Sequence, residues 1–232
     1  MSLFDNKYYK TGRPEKLVIF VHGYNGSPED IDYAMQWLRE RLEDAILVVP
    51  RAPFVCEKNA ANLQWLSFFK EDPNMRFRNP ETPIKEIFAI FSRLAADFRR
   101  VAGQMNAFIS EQQKIWQVDD AHTYLAGFSQ GAMITIYTAL TRPHCLGGAA
   151  AIAGIIPGFG VLDEEICSRP PFLIMHGRED ATVQYKTLPQ TLQWFAAKKI
   201  PHWVFELDGL AHKMNEVEMQ KLADFVNFGG CL

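Results

Sequence analysis

Short, uninterrupted apolar runs alternate along this chain with longer stretches in which apolar residues recur every three or four positions. LVIFVHG (17–23) is the first such run; its continuity predicts a strand buried on both faces. Ser27-Pro28-Glu29-Asp30 comes next. A capping serine, a proline in the first helical position and acids in the first turn predict a helix starting there. Ile31, Met35, Leu38 and Leu42 recur on one face of it. AILVVPRAP (45–53) reads as a second strand stopped by prolines, and Phe88, Phe91, Leu94, Phe98, Val101, Met105 and Phe108 predict one long helix over 84–116. HTYLAGFS (122–129) predicts a third strand that runs straight into the helical stretch QGAMITIYTAL. GGAAAIAG (147–154) and PFLIMHG (171–177) predict two more buried strands. A helix over 187–200, a last strand over 202–207 and a closing helix over 215–228 complete the pattern. Strands alternating with helices in this way predict an α/β fold, a mainly parallel central sheet flanked by helices on both faces. With no internal repeat and no linker-like stretch, the expected organisation is a single domain over 1–232.

Residues 54–83 fit this scheme worst. Trp65, Phe68, Phe69 and Phe77 stand there among prolines, asparagines and charges, between a strand and a helix. Loops this long are commonly functional, and a disordered segment would carry fewer aromatics, so a lid or pocket wall is expected.

Composition adds exclusions. With 48% hydrophobic and 22% charged residues the chain is ordinary for a globular domain. A formal net charge of −3 marks no nucleic-acid surface, and no apolar run has the length of a membrane span, so stable membrane insertion is not expected. Cys56, Cys145, Cys167 and Cys231 lie far apart without metal-ligand spacing; they read as free, mostly buried thiols in a reducing compartment. The polar first 16 residues lack the apolar centre of a signal peptide. A cytoplasmic location follows as the expectation, with no metal and no cofactor.

The chemistry centres on Gly127-Phe128-Ser129-Gln130-Gly131, a G-x-S-x-G pattern with an apolar strand before it and a helical pattern after it. That context makes it a nucleophile elbow, in which a cramped strand-to-helix turn lifts the serine hydroxyl clear of the backbone. A serine hydroxyl needs a base at neutral pH, and the base needs a carboxylate to hold its tautomer. In folds with this elbow the partners follow in the order serine, acid, histidine. That order removes His22 and His122, and His144 precedes any plausible acid. His176 ends a strand and His202 begins one. His212 remains, in a loop between the last strand and the closing helix, at the sheet end where open α/β sheets place their sites. After PFLIM, Glu179 and Asp180 both qualify as the acid, whereas Asp208 reads as a turn residue. Two backbone N–H groups should face the developing oxyanion. Gln130 supplies one, and Tyr24, in the glycine-bounded loop His22-Gly23-Tyr24-Asn25-Gly26, is the candidate for the other.

Together these segments resemble the phospholipase/carboxylesterase family of α/β-hydrolases, which includes the acyl-protein thioesterases. The resemblance covers roughly residues 15–228. It rests on His22-Gly23, on the elbow with Gln130 after the serine, on His176-Gly177 with Asp180, and on Gly209 with His212. It implies the α/β-hydrolase fold and selects Asp180 over Glu179. Asn25-Gly26 and Gln64-Trp65-Leu66-Ser67 depart from the family's usual residues in those regions. The implied function is hydrolysis of a carboxylic ester or acyl thioester through an acyl-enzyme on Ser129, with His212 as base, Asp180 as its partner, and the Tyr24 and Gln130 amides at the oxyanion. His22, Gly23, Trp65 and Phe128 are the candidate substrate contacts, and the substrate is a small acyl ester or thioester, with lipids and acylated proteins as candidates. A dienelactone-hydrolase-like enzyme, which would use cysteine, a peptidase, and a catalytically silent binding module are the rival readings.

Overall fold

The computed structural model describes residues 4–10 and 14–232. Residues 1–3 and 11–13 of the polar leader read above lie outside that set. The elements begin with β1 (Asn6–Lys10), β2 (Lys16–Val21), α1 (Asp32–Arg39) and β3 (Ala45–Pro50). A two-strand ribbon of β4 (Phe54–Val55) and β5 (Leu63–Gln64) comes next, then α2 (Ile84–Arg93), α3 (Ala95–Trp116), β6 (Thr123–Phe128) and α4 (Gln130–Thr141). The chain closes with β7 (Gly148–Ile152), β8 (Phe172–Gly177), α5 (Leu188–Ala197), β9 (His202–Leu207) and α6 (Glu216–Asn227). Seven strands form one sheet in the order β1-β3-β2-β6-β7-β8-β9, parallel throughout except for β1.

The continuous apolar runs work because both sheet faces are covered. Alternate residues of β2 split between them. Leu17, Ile19 and Val21 pack with residues of α2 to α5, while Val18 and Phe20 pack with Met35 and Leu38 of α1 and Leu222 and Phe225 of α6. Parallel pairing aligns the carboxyl ends of β2, β6, β8 and β9, so the loops that follow them converge at one end of the sheet.

Four features depart from the expectations. An antiparallel edge strand, β1, stands in the polar segment before β2, where Asn6, Lys7, Tyr8 and Tyr9 show no apolar alternation. Helix α1 starts at Asp32, because the Ser27 hydroxyl donates to Asp30 Oδ2 at 2.9 Å and closes a turn rather than capping a helix. The long helix is broken at Leu94, where the Phe91 carbonyl accepts instead from the Gly158 N–H at 3.2 Å. Three of the four free cysteines are exposed; only Cys56 is buried.

The excursion between β3 and α2 is tightly packed. Trp65, Leu66, Phe68 and Phe77 are buried, and Phe68, Phe77 and Phe91 form a cluster of edge-on rings with centroids 5.3–5.8 Å apart. Among the described residues no helix is long and apolar enough to cross a membrane.

Candidate active site

Ser129 sits between β6 and α4 with φ 57° and ψ −117°, a backbone conformation that costs a non-glycine residue about 1–3 kcal/mol. Its own N–H donates to the Ile152 carbonyl of β7 at 2.9 Å, and its carbonyl accepts from Met133 in the first turn of α4. The flanking glycines allow this crowding. A Cβ on Gly131 would lie 2.0 Å from the Val21 carbonyl oxygen, and one on Gly127 would lie 2.4 Å from that of Gly131.

The Ser129 hydroxyl lies 2.9 Å from His212 Nε2, and His212 Nδ1 lies 2.7 Å from Asp180 Oδ2. Because an ionised carboxylate only accepts, Nδ1 carries the imidazole proton, and Nε2 is left to accept from the serine. Phe128 stacks obliquely on the His212 ring, with centroids 4.7 Å apart. Asp180 is buried, and its other oxygen accepts from the Thr182 and Val183 amides at 2.8 and 3.0 Å. Burial alone would raise its pKa; hydrogen bonding to His176 and His212, with their positive potential, outweighs burial and holds it at about 2. His176 lies behind the acid, its Nε2 donating to the Val183 carbonyl at 2.8 Å and standing 3.5 Å from Asp180 Oδ2. That backing role was hidden in the sequence, where His176 looked like the end of a strand.

On the other side of Ser129, a Cβ on Gly23 would be 3.4 Å from the Ser129 Cβ, so the 22–26 loop presses directly on the serine. His22 is fully buried and takes no surface position; it holds this loop from within. Its Nε2 accepts from the Ala52 amide at 3.1 Å, which puts the proton on Nδ1, 2.9 Å from the Gly23 carbonyl. Burial pushes its pKa down to about 4, so the ring is neutral at physiological pH. Trp65 is likewise fully buried, its Nε1–H donating to the His22 carbonyl at 2.9 Å. Both residues therefore support the loop from behind, whereas Tyr24 and Phe128 retain partial exposure.

Gln130 contributes more than its backbone. Its side-chain Oε1 accepts from the Trp65 amide at 2.9 Å and its Nε2 donates to the Leu66 carbonyl at 3.0 Å. The first residue of α4 thus clamps the excursion against the elbow, a role no local spacing could reveal. Among the described residues neither the Tyr24 nor the Gln130 backbone N–H has a protein acceptor. The Gln130 group also lies at the positive end of α4, suited to an anion. Tyr24 is steadied by Glu57, which accepts from its hydroxyl at 3.2 Å and from the Phe68 amide at 3.0 Å. No group of three or more metal-ligating side chains occurs among the described residues.

A sequence profile described as phospholipase/carboxylesterase matches residues 8–229. The chain belongs to that family. Its class of activity is that of a carboxylic ester hydrolase. Among curated relatives, acyl-protein thioesterase 1 of Saccharomyces cerevisiae is 24% identical over 228 residues, covering 91% of each chain. Carboxylesterase SOBER1 of Arabidopsis thaliana is 22% identical over 217 residues, covering 90% of this chain and 89% of its own. The crystal structure of esterase PE8 superposes with a TM-score of 0.81 at 24% identity, over 97% of this chain and 99% of its own, and so shares the fold.

Proposed function

We propose that the chain hydrolyses carboxylic esters or acyl thioesters through a covalent acyl-enzyme on Ser129. The observation that carries this reading is the continuous relay from Ser129 Oγ through His212 to Asp180, at 2.9 and 2.7 Å. Ser129 Oγ attacks the acyl carbon while its proton passes to His212 Nε2. The same proton is then delivered to the leaving oxygen or sulfur as the bond to the acyl carbon breaks. Water repeats the sequence, giving its proton to His212 and its hydroxyl to the acyl carbon, and Ser129 is restored. Asp180, ionised far below neutral pH, holds the imidazole tautomer and balances the imidazolium. The Tyr24 and Gln130 amides receive the oxyanion, and the partly exposed Phe128 and the Gly23 backbone border the acyl site. His22 and Trp65 act on substrate through the loop they support. The excursion 54–83 forms the wall of the site within a single catalytic unit.

The names of the relatives favour carboxylic esters or acylated proteins as substrates, and the family's description adds phospholipids. Four free thiols suit a reducing, cytoplasmic setting.

The test is Ser129→Ala, assayed on short p-nitrophenyl esters and their thioester analogues, with fluorophosphonate labelling of the unaltered chain. Turnover should vanish in the variant, and one adduct should form on Ser129. Unchanged hydrolysis in the variant would refute the assignment; a folded chain that takes no label would indicate a binding module instead.

A further inference from the structure

Arg78 is a cation without an acid. It closes a single turn of 3-10 helix, Arg76–Arg78, on the excursion, and its side chain is half-buried. Its Nε is buried with no hydrogen-bond partner, and the guanidinium makes no ion pair among the described residues. Its nearest aromatic support is Phe77, whose ring centroid is 5.5 Å away. Three other cations contrast with it. Arg76 pairs with Glu86, Lys186 donates to the Pro80 and Thr82 carbonyls, and Arg178 pairs with Glu206 and Asp208.

The platform under Arg78 is rigid and tied to the relay. Buried Gln184 donates to the carbonyls on either side, Phe77 at 2.6 Å and Asn79 at 2.9 Å. Gln184 itself ends the turn in which Thr182 and Val183 hold Asp180. Asp72 accepts from the Phe77 amide at 3.0 Å and fixes the turn from the other side. The Phe77 ring packs on Phe68 at 5.3 Å, and Phe68 lies 5.0 Å from the Tyr24 ring, so the turn that carries Arg78 bridges the oxyanion loop and, through Gln184, the turn of the relay's acid. Asp180 is engaged elsewhere: its oxygens accept from Thr182, Val183 and His212, and its ion pairs are to His212 and His176.

A half-buried guanidinium on a turn fixed between the Tyr24 loop and the Asp180 turn, with its Nε unspent, is an unfinished half of a charge-assisted hydrogen bond. Resting on the ester-hydrolase reading above, we propose that Arg78 receives an anionic oxyacid group, carboxylate or phosphate, on the acyl chain or leaving group, and so selects negatively charged esters.

The test compares kcat/KM within two matched pairs. Mono-p-nitrophenyl glutarate is set against p-nitrophenyl pentanoate, and 1-butyrylglycerol 3-phosphate against 1-butyrylglycerol. The unaltered enzyme should prefer the anion in at least one pair, and the preferred pair tells carboxylate from phosphate. In Arg78→Gln that anionic-to-neutral ratio should fall by about 10- to 100-fold, the range of one charge-assisted bond, and Arg78→Lys should recover part of it. A ratio near one in both pairs for the unaltered enzyme overturns the proposal without any variant. A ratio unchanged in Arg78→Gln, or equal losses on both members of a pair, does the same. If the unaltered enzyme turns over no ester at all, it is the ester-hydrolase reading that has failed.

Discussion

Replacing Glu218 by glutamine should stabilise this protein in alkaline solution and do little in acid. Glu218 is 1% exposed in the first turn of α6. Its Oε2 accepts from the Asn215 amide at 3.1 Å, Asn215 Oδ1 accepts from the Glu218 amide at 3.0 Å, and Oε1 is buried without a partner. Burial is the largest influence on its carboxyl and raises the pKa. The capping bond from Asn215 opposes that, and the negative charge of Asp180 adds to it, so the group moves from an ordinary 4.5 to about 7. Between those values the folded chain holds a proton that the unfolded chain has lost, so stability falls as pH rises through this window. The penalty is complete above pH 7, where it amounts to ~3 kcal/mol. Glutamine keeps the capping acceptor and cannot ionise. Urea unfolding at pH 8 should therefore show Glu218→Gln more stable by roughly 2–3 kcal/mol, with the difference falling below about 1 kcal/mol at pH 5. His22 works in the opposite sense. Its pKa, lowered from 6.5 to about 4, removes stability as pH falls through that interval, but it is common to both proteins and cancels in the difference. A difference that does not vary with pH, or a variant less stable at pH 8, would refute the reasoning.

Three further outcomes follow from the site. Asp180→Asn should lower kcat on a p-nitrophenyl ester by about 10³–10⁴-fold, since the amide can hold His212 in the wrong tautomer; a loss under tenfold would remove Asp180 from the relay. Gly131→Ala drives a Cβ to 2.0 Å from the Val21 carbonyl and should destabilise by roughly 3 kcal/mol or more, read as a lowered Tm. Trp65→Phe keeps an aromatic ring in the core but deletes the donor to the His22 carbonyl, at a cost of ~1–3 kcal/mol for the lost bond. Because the 22–26 loop would loosen, kcat should fall more than KM rises; an effect on KM alone would contradict that support role.

Wherever a signal was local, the sequence carried it. LVIFV and TYLAGF are apolar without interruption because both faces of their strands are covered, and a glycine-bounded serine between strand and helix has few other meanings. Ser129, Asp180 and His212 could be proposed from motif, chain order and family resemblance, and the structure brings the three within hydrogen-bonding distance. What escaped was set by distant partners. Nothing near Leu94 announces that Gly158 will take the Phe91 carbonyl and break the helix there. Ser27 looks like a helix cap until Asp30 captures its hydroxyl. Trp65 had the right neighbourhood but was expected at the substrate; it lies one layer deeper, because its indole N–H must satisfy a buried carbonyl. Phe77 and Gln184 meet across more than a hundred positions of chain.

The Gln130 clamp also bears on how a substrate arrives. Swinging residues 65–66 outward would sever both side-chain bonds to Gln130 and the indole bond to His22, leaving buried polar groups bare. At ~1–3 kcal/mol for each group abandoned, such an excursion would be rare on the timescale of turnover. Residues 65 and 66 therefore stay fixed against the first turn of α4. The excursion and helix α4 will breathe together or not at all.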